Sequence, residues 1–193
     1  MNIIFEGIDA SGKTTLLNET LKVLIEKGEK AEYIREIGNT PLQLLLNDML
    51  SKDLFFQSKE KFNTSIYETF LLAAGFFYKQ ESLRNNTETI NLFDRDIITL
   101  ISYQKNIIFQ EYGEKCKKFL ENLEECFLFD LKKIDLVVYV SIDKEETFNR
   151  ILARDNVILN EEQKKFLLDS KHQMEKTLSS LIEKSNIPVL YIN

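Results

Sequence analysis

Gly7-Ile8-Asp9-Ala10-Ser11-Gly12-Lys13-Thr14 stands directly after the apolar run Asn2-Ile3-Ile4-Phe5 and directly before a stretch with amphipathic helical spacing. Glycines at the first and sixth positions let the backbone wrap so that successive N–H groups point into a concavity, and the following helix adds the positive end of its dipole. Such a nest holds a polyphosphate. Lys13 reaches the β- and γ-phosphates as a point charge, and the Thr14 hydroxyl is placed to ligate the Mg²⁺ that bridges them. The loop sits correctly between a strand and a helix, which sets it apart from a chance match in a surface turn. The stretch therefore predicts a nucleotide-handling protein.

Composition is compatible with that. The 193 residues are 44% hydrophobic and 29% charged, enough for one well-buried core and too few for two typical domains, so a single domain over 1–193 is expected. The net charge of −6 argues against a nucleic-acid-coating surface and requires the positive potential to be concentrated in one cleft. Only five of the 25 basic residues are arginine, namely Arg35, Arg84, Arg95, Arg150 and Arg154. A planar guanidinium grips phosphate in a way that a lysine does not. Cys116 and Cys126 have neither zinc-site nor disulfide-framework spacing. With a strand expected from residue 2 and no apolar run approaching 18 residues, neither a signal or transit peptide nor a membrane span is expected, and the compartment expected is the cytoplasm or an equivalent reducing space.

Short β-branched or aromatic runs at 2–6, 30–35, 89–93, 135–141 and 187–192 alternate with helical periodicity, which is an α/β pattern. Crossovers of that length imply parallel strands with helices on both faces and a ligand site outside the strands' carboxyl ends. Asp94-Arg95 directly follows the third run and should project into the same cleft, Asp94 toward Mg²⁺ and Arg95 toward a second phosphate group. Arg35 ends the second run, followed by Thr40 and Pro41 as a helix cap and first helical position. Arg150 and Arg154, four apart, share a helical face before an irregular segment. The aromatic residues of 55–78 have helical spacing and read mostly as core, residues 161–183 form a long polar helix, and His172 on it is read as solvent-facing.

In order along the chain, FEGIDASGKTT (5–15), REIGNTPL (35–42), LLAAGF (71–76) and DRDIITLISYQ (94–104) resemble the landmarks of the thymidylate kinases. The resemblance implies a three-layer P-loop nucleoside monophosphate kinase fold with a five-stranded parallel sheet. It also implies transfer of the ATP γ-phosphoryl to a small-molecule deoxynucleoside monophosphate, and a homodimer. Carried over by position, Gly7, Asp9, Ala10, Ser11, Gly12, Lys13, Thr14 and Thr15 would bind ATP, and Thr14 with Asp94 would serve Mg²⁺. Arg95 would clamp the acceptor phosphate, Arg35 would contact the acceptor, Asp9 would touch the sugar 3′-hydroxyl, and Tyr103 would disfavour a ribose 2′-hydroxyl. Ala10 beside the loop acid places the chain among the forms that carry a catalytic arginine in the lid, here about residues 150–161, with Arg150 and Arg154 as candidates.

The chain also departs from the family pattern. Leu72 stands where the family has the phenylalanine that stacks on thymine, Phe76 where it has the arginine that bonds the base, and Leu100 where some members carry a polar group. An apolar pocket rejects near analogues weakly. Leu159 replaces a lid arginine, which predicts slow catalysis unless Arg150 or Arg154 substitutes, and Asp96 replaces a tyrosine or histidine. These departures keep two alternatives open: a paralogue phosphorylating another deoxynucleotide or a deoxynucleoside, and a nucleotide-binding protein with little turnover. A GTPase switch is disfavoured, because no Asn-Lys-x-Asp segment occurs.

Overall fold

Five short strands form the centre of the protein. The computed structural model describes residues 1–36, 41–52, 65–83, 88–128 and 134–193. The strands are β1 (Asn2–Glu6), β2 (Ala31–Ile34), β3 (Ile90–Asp94), β4 (Leu136–Val140) and β5 (Val189–Ile192). They lie in the order β2-β3-β1-β4-β5, and every neighbouring pair is parallel. The helices are α1 (Lys13–Glu26), α2 (Pro41–Lys52), α3 (Ser65–Leu83), α4 (Ile97–Tyr112), α5 (Lys117–Leu128), α6 (Lys144–Asp155) and α7 (Glu161–Ser185), with a 3₁₀ turn at Gly113–Cys116. The five expected strand runs are found with their ends shifted by at most two residues.

The period of two along each strand sorts the core into two layers. Ile4, Phe93, Val137 and Tyr139 face one side with Phe76, Ile98, Ile101, Phe166 and Met174. Ile3, Phe5, Leu92, Val138 and Val140 face the other side, against Leu17 of α1. Helices therefore cover both faces, as parallel strands buried on both sides require. Register then builds the cleft: Phe5 pairs with Asp94 and Ile34 with Phe93, so β1, β2 and β3 end together beside the loop at 7–12.

Two sequence expectations meet corrections or limits here. Most rings of 55–78 were expected in the core, but of those described only Phe76 is buried, while Tyr67, Phe70, Phe77 and Tyr78 are exposed. The cause is a buried stripe on α3 that runs through Thr69, Ala73, Phe76 and Lys79, leaving the other rings on the opposite face. Thr40 lies outside the described residues, and Pro41 is the first residue of α2. His172 is exposed, and both cysteines are free, Cys116 buried and Cys126 exposed.

Candidate active site

The loop after β1 has a backbone that only small residues permit. Gly7 has φ +149°, and a Cβ there would stand 2.4 Å from the Val140 carbonyl oxygen and 2.7 Å from Ser11 Oγ. Gly12, at φ +97°, caps α1 with no side-chain hydrogen bond, and the first turn of α1 carries no acid. The orphan amides of that helix end are thus left for an anionic ligand. Ser11 Oγ is buried with no hydrogen-bond partner, a polar atom turned into the same loop.

Lys13 is buried and its Nζ donates to the Ile8 carbonyl at 3.2 Å. Burial, followed by the nearby Arg95 cation, pulls its pKa down from 10.5 to about 8. Next along α1, Thr14 Oγ1 donates to Asp94 Oδ2 at 2.8 Å. Tyr33 Oη, from β2, donates to the same oxygen at 2.8 Å. Burial and that bond to Asp94 raise the Tyr33 hydroxyl to about 12, so it remains a donor at neutral pH.

Arg95 turns the other way. Its backbone has φ +58°, its N–H donates to the Phe5 carbonyl at 3.0 Å, and its side chain is 11% exposed. Nη2 donates to Asp9 Oδ1 at 2.7 Å, Nη1 lies 3.3 Å from Glu36 Oε2, and the guanidinium carbon is 5.7 Å from the Tyr103 ring centroid. Tyr103 Oη donates to Asp9 Oδ2 at 2.9 Å. Burial would push the Asp9 carboxyl up, but the charges of Arg95 and Lys13 and the two donated hydrogen bonds hold it well below the usual carboxylate range. Burial raises the Tyr103 hydroxyl well above its ordinary value, aided by Asp9. Asp9, Arg95 and Tyr103 thus form one charged, hydrogen-bonded group next to the phosphate loop.

The family model described as thymidylate kinase matches residues 5–193. The chain belongs to the thymidylate kinase family. Among its relatives, a probable thymidylate kinase of Picrophilus torridus is 26% identical over all of this chain and 87% of its own length. The thymidylate kinase of Orientia tsutsugamushi is 27% identical over 96% of this chain and 80% of its own, and that of Thermosipho melanesiensis is 33% identical over 66% and 78%. A deoxyadenosine kinase from M. mycoides, solved with bound dATP, shares the fold at a TM-score of 0.68 and 16% identity, covering 100% of this chain and 91% of that one. The chain is accordingly a kinase of the P-loop nucleoside monophosphate class, and the comparisons favour that over the alternatives weighed from sequence.

The remaining family positions fall as follows. Arg150, on α6, donates from Nε to Glu146 at 2.6 Å, and its Nη1 lies 3.3 Å from where a Cβ on Gly12 would stand, so its guanidinium borders the phosphate loop. Arg154 is held by both oxygens of Asp155, at 2.7 and 2.6 Å, and it also feels the charges of Asp9 and Arg95. Leu159, where the resemblance leads one to expect a second lid arginine, is buried in the main core beside Ile158, which is 83% exposed. Phe76 is buried in that core, Leu72 packs half-buried against it, and Leu100 is buried too. Arg35 and Thr15 are exposed.

Four residues around the site carry weight that motif reading did not assign. Glu36 pairs with Arg95, and Tyr33 bonds Asp94. Glu6 is fully buried at the end of β1; it accepts from the Asp96 and Thr99 amides at 3.0 and 3.3 Å and from the Thr99 hydroxyl. Burial pushes Glu6 up to about 8 despite the Thr99 hydroxyl, and Asp96 pushes the same way. Lys79, the fourth, lies behind Arg95 on α3. A usable signal existed for two of these: an acid closing an otherwise apolar strand at Glu6, and a lysine three residues beyond Phe76 on the buried stripe of α3.

Proposed function

We propose that this protein transfers the γ-phosphoryl group of ATP to dTMP, giving ADP and dTDP, with Mg²⁺ as cofactor. The observation that carries the reading is the opposed aim of two adjacent residues: Asp94 meets Thr14 at the phosphate loop, while Arg95 meets Asp9 and Tyr103. One strand end thereby serves two phosphate-bearing substrates. On this reading the loop amides and Lys13 bind the ATP β- and γ-phosphates, and Arg95 exchanges its carboxylate partners for the acceptor phosphate. The exchange brings acceptor oxygen and γ-phosphorus together, so the rate comes from positioning and charge neutralisation with no covalent intermediate. Asp9 and Tyr103, already bonded to each other, bound the acceptor's sugar, where a deoxyribose fits against the tyrosine ring.

Thr14 and Asp94 would hold Mg²⁺, which would supply positive charge to offset that of the phosphates. The donors present suit it: both are oxygens, and among the described residues no group of three or more His, Cys, Asp or Glu could form an all-protein metal cage. Mg²⁺ characteristically takes one or two protein oxygens and completes its shell with water and phosphate. Arg150 from beside Gly12, and Arg154 after release from Asp155, supply the lid charge that Leu159 does not.

A homodimer in a reducing cytoplasm completes the proposal. The aromatic face of α3 formed by Tyr67, Phe70, Phe77 and Tyr78, with Leu44 and Leu45 exposed on the neighbouring α2, supports self-association. No helix among the described residues is long and apolar enough to cross a membrane. The test is ADP release from Mg·ATP across deoxy- and ribonucleoside monophosphates and nucleosides, with Lys13→Ala as control. Preference for dTMP with an inactive control is expected; preference for a nucleoside or another base overturns the acceptor assignment.

A further inference from the structure

We propose that Lys79 is a positioning residue for the acceptor site, acting through the backbone of Arg95; the inference rests on the role proposed above for Arg95. Lys79 lies on the buried stripe of α3, its side chain 8% exposed. Nζ donates to the Arg95 main-chain carbonyl at 3.3 Å and lies 3.7 Å from Asp96 Oδ2. It also stands 5.4 Å and 5.9 Å from the ring centroids of Phe93 and Phe76. A buried ammonium is costly unless paired and hydrogen-bonded, and here the Arg95 carbonyl and the Asp96 carboxylate, on the two residues that follow β3, both meet it.

Those contacts matter because of the conformation they hold. Arg95 is one of four non-glycine residues with positive φ among those described, and a side chain at +58° is disfavoured unless the surroundings fix it. On one side the Arg95 N–H is tied to the Phe5 carbonyl, and on the other Lys79 takes its carbonyl. Asp96, whose side chain is fully buried, accepts from the Ile97 amide at 2.7 Å at the start of α4 and is the counter-charge of Lys79. Lys79 and Asp96 therefore act as one unit, which gives Asp96 a physical role: it lets a cation sit behind the turn from which the Arg95 guanidinium is aimed. Lys79 itself touches no substrate on this account.

The test uses the small number of arginines. With five in the chain, the Nε–H signals of ¹⁵N-labelled protein are few, and that of Arg95, whose Nε is buried without a partner, is assigned by its loss in Arg95→Lys. Lys79→Met is expected to shift the Arg95 signal and speed its solvent exchange, and Lys79→Arg to restore it. By titration calorimetry, Lys79→Met should weaken dTMP binding about tenfold while Mg·ATP binding stays within about twofold, the scale of one lost hydrogen bond from a charged group. Should Lys79→Met fail to fold, Lys79→Met/Asp96→Asn removes both buried charges, keeps an N-cap, and must show the same two changes. An Arg95 signal and dTMP affinity unchanged in either folded variant overturn the proposal. Wild-type protein that does not bind dTMP, with an Arg95 signal that still responds to Lys79→Met, overturns the substrate assignment and leaves the positioning role standing.

Discussion

Lys13 must carry charge to hold a polyphosphate, yet in the ligand-free protein burial and the Arg95 cation have brought its pKa down to about 8. On the proposed reading, bound Mg·ATP would surround the ammonium with phosphate oxygens and restore the charge, so binding should be coupled to proton uptake. With a free pKa near 8, the uptake should be about 0.1 proton at pH 7, about 0.5 at pH 8 and about 0.9 at pH 9, and above pH 8 the affinity should fall about tenfold per unit. The sign follows from occupancy: the free protein has lost the proton that the complex keeps, so rising pH favours the free state. Isothermal titration of Mg·ATP at each pH, in two buffers of different ionisation enthalpy, gives the proton count directly. Lys13→Met should bind weakly with no pH-dependent uptake, which separates the lysine from the ligand's own ionisation. A wild-type count that stays near zero from pH 7 to 9, or an equal count in Lys13→Met, would show that Lys13 is not the group that takes up the proton.

Tyr33→Phe removes a donor from the Asp94 oxygen that also meets Thr14, and metal-site partners of this kind are worth about tenfold in affinity; Mn²⁺ binding in the presence of ADP, followed by paramagnetic resonance, should weaken accordingly. Unchanged Mn²⁺ affinity would show Tyr33 to be a packing residue only. Glu6 keeps its proton up to about pH 8 in the folded protein, whereas an unfolded glutamate loses it near 4.5, so wild-type stability contains a contribution that falls as pH rises through that window. Glu6→Gln should remove a slope of about 1 kcal/mol per pH unit in urea melts between pH 5.5 and 7.5, and parallel slopes for the two proteins would count against it. Arg150→Ala should mainly raise the KM for ATP, because its guanidinium borders Gly12, and Arg154→Ala should act on the acceptor side, where it feels Asp9 and Arg95. Each should also slow turnover, by up to about 10³-fold for whichever arginine meets the transferring phosphoryl group.

The fold was legible because its signals are local and periodic: five short runs of β-branched and aromatic residues, separated by crossovers long enough for a helix, leave little choice but a parallel sheet. The phosphate loop was legible for a different reason, since Gly7 and Gly12 answer steric demands that no other residue meets. Partner choice was not. That Tyr33 reaches Asp94, or Lys79 the turn at Arg95, depends on register between segments about 60 and 16 residues apart. The exposure of Tyr67, Phe70, Phe77 and Tyr78 on α3 is not legible in sequence, because helical spacing shows that one face is apolar without showing which apolar face is covered. Leu159 reads from sequence as a replaced arginine, and periodicity alone does not show that its side chain is buried in the main core.

On the proposed reading, Arg95, facing Asp9 and Tyr103, receives the phosphate of the acceptor. Steady-state kinetics of wild type and Arg95→Ala with dTMP and Mg·ATP test it most directly. Arg95→Ala should lose about 10²-fold or more in kcat/KM for dTMP, with the KM for ATP nearly unchanged. Wild-type dTMP kinetics in a folded Arg95→Ala protein would contradict it.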